Sequence, residues 1–339
     1  MEIGFSFCFR LLFGAILRAG KGVLVYFLKN SAYNIGMEEI KQQQLNAQNS
    51  VKKQKKTWLG VLYIVISAFC FSLMSVCVRK AGDLPTFQKA FFRNSVAAVA
   101  GFILVAKSGS FKMQKGSFVP LILRSIVGLV GIIGNFYAID RMNISDASIL
   151  NKLAPFFSVI FSIWILREKA SLWDLVFVGI AFSGALFVVK PSFDVSEFFP
   201  ALIGVLGGLG AGMAYTFVRR LSNHGERGPY IVFFFSVFSC IAILPFVIVQ
   251  WQPMETWQVV WLLLAGCAAS GAQFSVTAAY AHAPAKEISV YDYSQVLFTA
   301  VWGVAFFGEF PDYLSVIGYV IIIGAALSKY FVGKKLTKK

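Results

Sequence analysis

From Trp58 to Val332 the sequence is a nearly unbroken series of apolar runs, each about as long as a hydrocarbon core is thick, separated by short polar breaks. In lipid no water satisfies a free N–H or C=O, so runs of this length must close their own hydrogen bonds as helices. The runs fall at 58–78, 86–106, 118–139, 146–166, 172–190, 200–220, 230–249, 257–280, 287–308 and 313–332. The breaks carry turn-forming residues, as in Gly82-Asp83-Leu84-Pro85, Lys190-Pro191-Ser192, Gln252-Pro253 and Phe310-Pro311-Asp312. Trp58, Trp173, Trp251 and Trp257 sit at run ends, where interfacial indoles collect. The expectation is an all-α polytopic membrane protein of ten transmembrane helices. A water-soluble domain of this size is excluded, because 14% charged residues among 58% hydrophobic ones leave too little polar surface.

A net charge of +15 would suggest nucleic acid in a soluble protein. Here the lysines and arginines lie between apolar runs and at the ends, the distribution of cytoplasmic loops, so the partner is the bilayer and no nucleic acid. Lys107, Lys112, Lys115, Arg167, Lys169, Arg219, Arg220, Arg227 and Lys286 fall on one side, with Lys52 to Lys56 before the first run and Lys334 to Lys339 after the last. Arg79, Lys80, Lys89, Arg141 and Lys190 fall on the other. That bias puts both termini in the cytoplasm and the protein in the cytoplasmic (inner) membrane. Residues 1–57 read as a cytoplasmic tail or a mis-assigned extension with Met37 as the true start, and 333–339 as a basic tail. Cys8, Cys70, Cys77, Cys240 and Cys267 are dispersed singly, which indicates neither a disulfide framework nor a metal site.

Two segments about 141 residues apart look alike. Phe136-Tyr137-Ala138, Asp146-Ala147-Ser148, Pro155-Phe156 and Arg167-Glu168 are echoed by Ala279-Tyr280-Ala281, Glu287-Ile288-Ser289, Val296-Leu297 and Gly308-Glu309. With five runs per half, 58–190 and 200–332, the second half must enter the membrane from the opposite face. Such a 5+5 inverted repeat is a mark of secondary transporters.

With these residues in place the chain resembles the ten-helix, EamA-type branch of the drug/metabolite transporter superfamily over about 58–332. Phe91-Phe92-Arg93-Asn94 is similar to that family's start of helix two. Arg124, Gly128, Tyr137-Ala138, Ala147, Pro155 and Glu168 follow the order of its first repeat, and Gly308-Glu309 resembles the pair closing helix nine. The resemblance implies a central cavity and no cofactor, with Arg124, Pro155, Glu168 and Glu309 as structural motif positions. Phe307 to Asp312 also resembles members carrying larger compounds such as S-adenosylmethionine or riboflavin. The family's proline near the start of helix nine is Val296 here, so a straighter helix nine is expected.

Ionisable residues inside spans are costly and therefore functional candidates. Arg93, Arg124, Lys152 and Asp292 qualify, with snorkelling or helix capping as the plainer role of the two arginines. Lys152 and Asp292 have polar company in Asn151, Tyr291 and Gln295, and the offset lays Asn151 on Asp292, which suits a shared cavity. Asn135, Tyr137, Tyr215, Gln273 and Tyr280 add hydrogen-bonding groups, although packing or interhelical bonds are the simpler role for each. Counting 1.5 Å per residue from the span ends separates Lys152 from Asp292 by roughly 13 Å in depth, so no direct ion pair is expected. The glycines of span six (Gly204, Gly207, Gly208, Gly210, Gly212) suit close helix packing.

The expected function is a carrier, monomeric or homodimeric, for a small polar or amphipathic metabolite: an amino acid or a larger compound of the kinds just named. Protons are a candidate coupling ion through Asp292. A membrane-embedded enzyme is the competing class, but His224 and His282 lie near loops and no catalytic constellation accompanies them. A channel would need a filter-like loop that the sequence lacks.

Overall fold

The computed structural model describes residues 57–141, 150–189, 198–308 and 310–336, and every regular element among them is helical. The N-terminal extension to residue 56, Lys190, Glu309 and the last three residues of the basic tail lie outside the described residues. The elements are α1 (Thr57–Lys80), α2 (Thr86–Lys107), α3 (Phe118–Arg141), α4 (Ala154–Leu166), α5 (Leu172–Val189) and α6 (Phe198–Asn223). They continue with α7 (Gly228–Val249), α8 (Thr256–His282), α9 (Ala285–Ile288), a 3-10 segment (Ser289–Tyr293), α10 (Ser294–Phe307) and α11 (Tyr313–Leu336). Seven of the described helices are long and apolar enough to cross a membrane. With the fourth and ninth spans broken and the fifth short, the chain is a ten-span, 5+5 bundle.

Local sequence explains the ends. Pro85 precedes α2 and Pro229 occupies the first turn of α7, where a missing N–H costs nothing. Glu255 and Gln258 form a reciprocal capping box on α8. Helix α4 closes on Arg167 with φ 53°, and α10 closes on Gly308 with φ 68°. Those left-handed caps lie 141 positions apart, so the repeat is written in backbone geometry as well as in sequence. Arg167 holds that conformation without glycine's freedom.

The packing repeats too. Helix α3 lies against α6, and α1 lies correspondingly against α8, where Ser67 Oγ donates to the Ala272 carbonyl at 3.0 Å. α2 pairs with α7, and α5 with α11. Close crossings rest on missing side chains: a Cβ on Gly207 would meet the Asn135 amide at 2.8 Å, and one on Gly318 the Gly184 carbonyl at 2.5 Å. Span six is therefore glycine-rich because it is wedged between α3 and the fourth span, as Gly208 against Leu150 and Gly212 against Phe157 also show. Val99, Phe102, Trp164, Ile241, Val249 and Val320 face outward and exposed, a belt that lipid covers.

One expectation fails here. The ninth span is not straight: it breaks into the 3-10 segment Ser289–Tyr293 without any proline. The fourth span breaks at Lys152-Leu153, the repeat-related place, and Tyr293 Oη donates to the Lys152 carbonyl at 2.8 Å. A broken span frees backbone groups that lipid could not satisfy, and the Lys152 carbonyl finds its partner in the ninth span. The two discontinuities cross at the centre of the bundle.

Candidate functional site

A cavity of about 220 Å³ lies beside this crossing, room for several waters' share of liquid volume rather than a packing gap. Its wall is built by eight spans, including Phe71 and Ser75 of α1, Gly131 of α3, Ala211 of α6 and Phe235 of α7. Of the residues expected to line a cavity, Arg93, Asn135, Asn151, Lys152, Tyr215, Gln273, Asp292 and Gln295 are on it.

Three expected members stand elsewhere. Tyr280 lies behind Tyr215, stacked on its ring at 5.1 Å, with its hydroxyl 3.2 Å from Ser158 Oγ. Tyr291 packs on the apolar core. Tyr137 faces a second groove bordered by Leu84, Pro85, Ile133 and Gln250, with its ring edge-on to Phe199. Tyrosine has an apolar body and a polar tip, so its presence in a span does not say which end decides its place. Ile132 belongs to both walls, so that groove adjoins the cavity.

Arg124 corrects an expectation in the other direction. It neither snorkels nor serves only as a motif position, being 2% exposed and on the cavity wall. Its guanidinium carbon lies 3.5 Å from the centroid of Phe235, and Nη2 donates to Gln273 Oε1 at 3.4 Å. Gly128 makes the berth, since a Cβ there would come within 3.1 Å of Nη1 and 3.0 Å of the Phe235 ring. Arg93 rests over Phe71. Arg93 Nε and Arg124 Nε and Nη1 are buried without an acceptor.

Lys152 and Asp292 share the cavity wall, and each sits where its span is broken. Lys152 Nζ donates to Gln295 Oε1 at 2.6 Å and interacts electrostatically with Asp292 without an ion pair, as expected. The wall thus carries three cations and one carboxylate.

At the end of the bundle bearing the α4–α5 and α6–α7 connections, Arg219 closes the structure. Its Nε pairs with Glu168 Oε1 at 3.2 Å, and Nη1 donates to the carbonyls of Tyr280 and Ala281 at 3.1 and 3.2 Å. One side chain therefore ties α6, the α4–α5 connection and the C-terminal carbonyls of α8. Above it Ser158 Oγ lies 3.1 Å from Ser289 Oγ, joining the fourth and ninth spans. Sequence reasoning counted Arg219 only as a loop charge. The available signal was its place near the C-terminal end of α6 together with the motif glutamate. Pro155 begins α4.

A bundle of apolar helices in inverted halves around a charged chamber defines a membrane transporter. The chain belongs to the EamA-like transporter family, whose pattern matches residues 58–190 and again 198–330, within the drug/metabolite transporter superfamily. It is 32% identical over 275 residues to the pseudopaline exporter CntI of Pseudomonas aeruginosa, covering 79% of this chain and 95% of that protein. It is 27% identical over 304 residues to human solute carrier family 35 member G1 (84% and 83% covered). It is 22% identical over 282 residues to the S-adenosylmethionine uptake transporter of Rickettsia prowazekii (83% and 95%). A solved crystal structure matches the fold with a TM-score of 0.72 at 14% identity, covering 82% of this chain and 98% of that one. The protein is a transporter and not an enzyme.

Proposed function

We propose that this protein is a secondary carrier that moves a small polar metabolite across the cytoplasmic membrane by alternating access, with both termini in the cytoplasm. The cavity at the crossing of the two broken spans is its substrate site. The observation that carries the reading is the meeting of repeat-related breaks beside a chamber whose wall holds Lys152, Asp292 and two buried arginines. Discontinuous helices at the interface of inverted repeats place backbone and side-chain dipoles where a solute must pass, and the two halves exchange roles in opening. Relatives named as exporter and uptake protein support a metabolite cargo. In this conformation the Arg219–Glu168 clasp shuts the cytoplasmic end, while the groove beside Tyr137 leads from the cavity towards the opposite face.

The test is counterflow in proteoliposomes. A saturable flux stimulated by substrate on the far side is expected, and it is lost in the Lys152→Ala, Asp292→Ala double variant. Intact flux in that variant, inserted normally, refutes the site. Flux that neither saturates nor shows counterflow refutes the carrier.

A further inference from the structure

We infer that the cargo is an amine carrying at least two acidic groups, an amino-dicarboxylate or a larger relative of that class. The inference rests on the proposed substrate site and adds its charge logic. Moving an ion from water into a protein interior costs several kcal/mol, so buried cations are ordinarily paired with anions. The two arginines of this wall are not, and Lys152 has only Asp292 nearby without a direct pair. Arg124 has a neutral amide and an aromatic face, Arg93 has an aromatic face, and Lys152 has the amide of Gln295. Three guanidinium N–H positions, Arg93 Nε and Arg124 Nε and Nη1, are buried without an acceptor.

The charges are also segregated. Arg93 and Arg124 interact unfavourably with each other at one part of the wall, and Lys152 and Asp292 interact favourably at another. A single anionic group between the arginines would offset their repulsion and use their spare donors, which match a carboxylate's paired oxygens. A second carboxylate beside Lys152 and an ammonium beside Asp292 would fill the other part. A neutral zwitterion satisfies only the second part and leaves the arginine pair uncompensated. A simple cation fits neither.

The chemistry of the arginine pair would equally receive a phosphate monoester, and the experiment separates the two. Thermal stabilisation of the purified wild-type protein is measured with L-glutamate, L-glutamyl-L-glutamate, L-glutamine, glutarate, L-lysine, L-serine and O-phospho-L-serine. Stabilisation by at least one acidic amine is expected. L-glutamine, lacking the second acid, and glutarate, lacking the amine, bind at least 10-fold more weakly, as loss of a charged hydrogen-bonding group implies. Phosphoserine alone stabilising would overturn the carboxylate assignment. Stabilisation by L-glutamine or L-lysine equal to the acids, or none from any acidic amine, overturns the charge class. Arg93→Gln and Arg124→Gln are each expected to weaken the acidic ligand roughly 10- to 100-fold, with partial return in Arg→Lys. The wild-type series stands by itself if those variants fail to fold. A neutral solute that shows counterflow abolished by Lys152→Ala, Asp292→Ala keeps the site and refutes only the charge class.

Discussion

Substitution of Gly207 by alanine separates two effects that act in opposite directions. In a helix interior alanine is favoured over glycine by about 1 kcal/mol, so a replacement in free space should stabilise. At Gly207 the space is not free. The new Cβ would lie 2.8 Å from the Asn135 amide nitrogen and 3.0 Å from the Gly134 carbonyl carbon, about 0.6 Å inside the 3.4 Å where ordinary contact begins. Both neighbours are backbone, which cannot swing aside as a side chain can, so α6 must move away from α3. Overpacking of this kind costs about 1–3 kcal/mol. The second term wins, and Gly207→Ala should be less stable than wild type by about 0–2 kcal/mol once the propensity gain is subtracted. Gly179→Ala in α5 is the control, since nothing lies within 4 Å of its added Cβ. Thermal unfolding in detergent should rank Gly179→Ala at or above wild type and Gly207→Ala below it. Because Asn135 lines the cavity, Gly207→Ala should also weaken substrate binding, while Gly179→Ala should not. A Gly207→Ala protein more stable than wild type would refute the close crossing of α3 and α6.

Arg219→Ala should lower stability by about 1–3 kcal/mol in thermal unfolding, because it leaves Glu168 and the carbonyls of Tyr280 and Ala281 without their donor. Lys329→Met strands Asp174 at a buried ion pair joining α11 to α5 and should cost about 3–5 kcal/mol, whereas the Lys329→Met, Asp174→Leu double variant should recover most of that loss. Among the described residues Asp292 is the sole carboxylate on the cavity wall, so Asp292→Asn should abolish any effect of a pH gradient on uptake while counterflow persists; an unchanged gradient effect would remove Asp292 as the proton site. Gly308→Ala, at φ 68°, should destabilise by about 1–2 kcal/mol in the same unfolding assay.

The spans were legible because lipid imposes long apolar runs and tolerates few exceptions, and outside the broken fourth and ninth spans the described helices begin and end within a few residues of the runs. The repeat was legible in Tyr137-Ala138 and Arg167-Glu168 and reappears in the caps at Arg167 and Gly308. The break of the ninth span was hidden, since residues 285–295 contain neither glycine nor proline. Its cause is tertiary: Tyr293 turns to the Lys152 carbonyl, and Ser158 meets Ser289. Arg124 was hard to assign because its berth consists of a missing side chain at Gly128 and a ring at Phe235, neither of which is polar. The tyrosines failed in the reverse sense, three polar tips being drawn away from the cavity by packing or by local partners.

Ser75 lies on the cavity wall in α1, and Ser75→Cys in an otherwise cysteine-free protein gives the most direct test of a chamber reached from each face in turn. A membrane-impermeant maleimide should label that cysteine from either side of sealed proteoliposomes. Adding Arg219→Ala should speed labelling from the face that the Glu168 clasp closes and slow it from the opposite face. Labelling from one face alone, unchanged when the clasp is cut, would contradict alternating access.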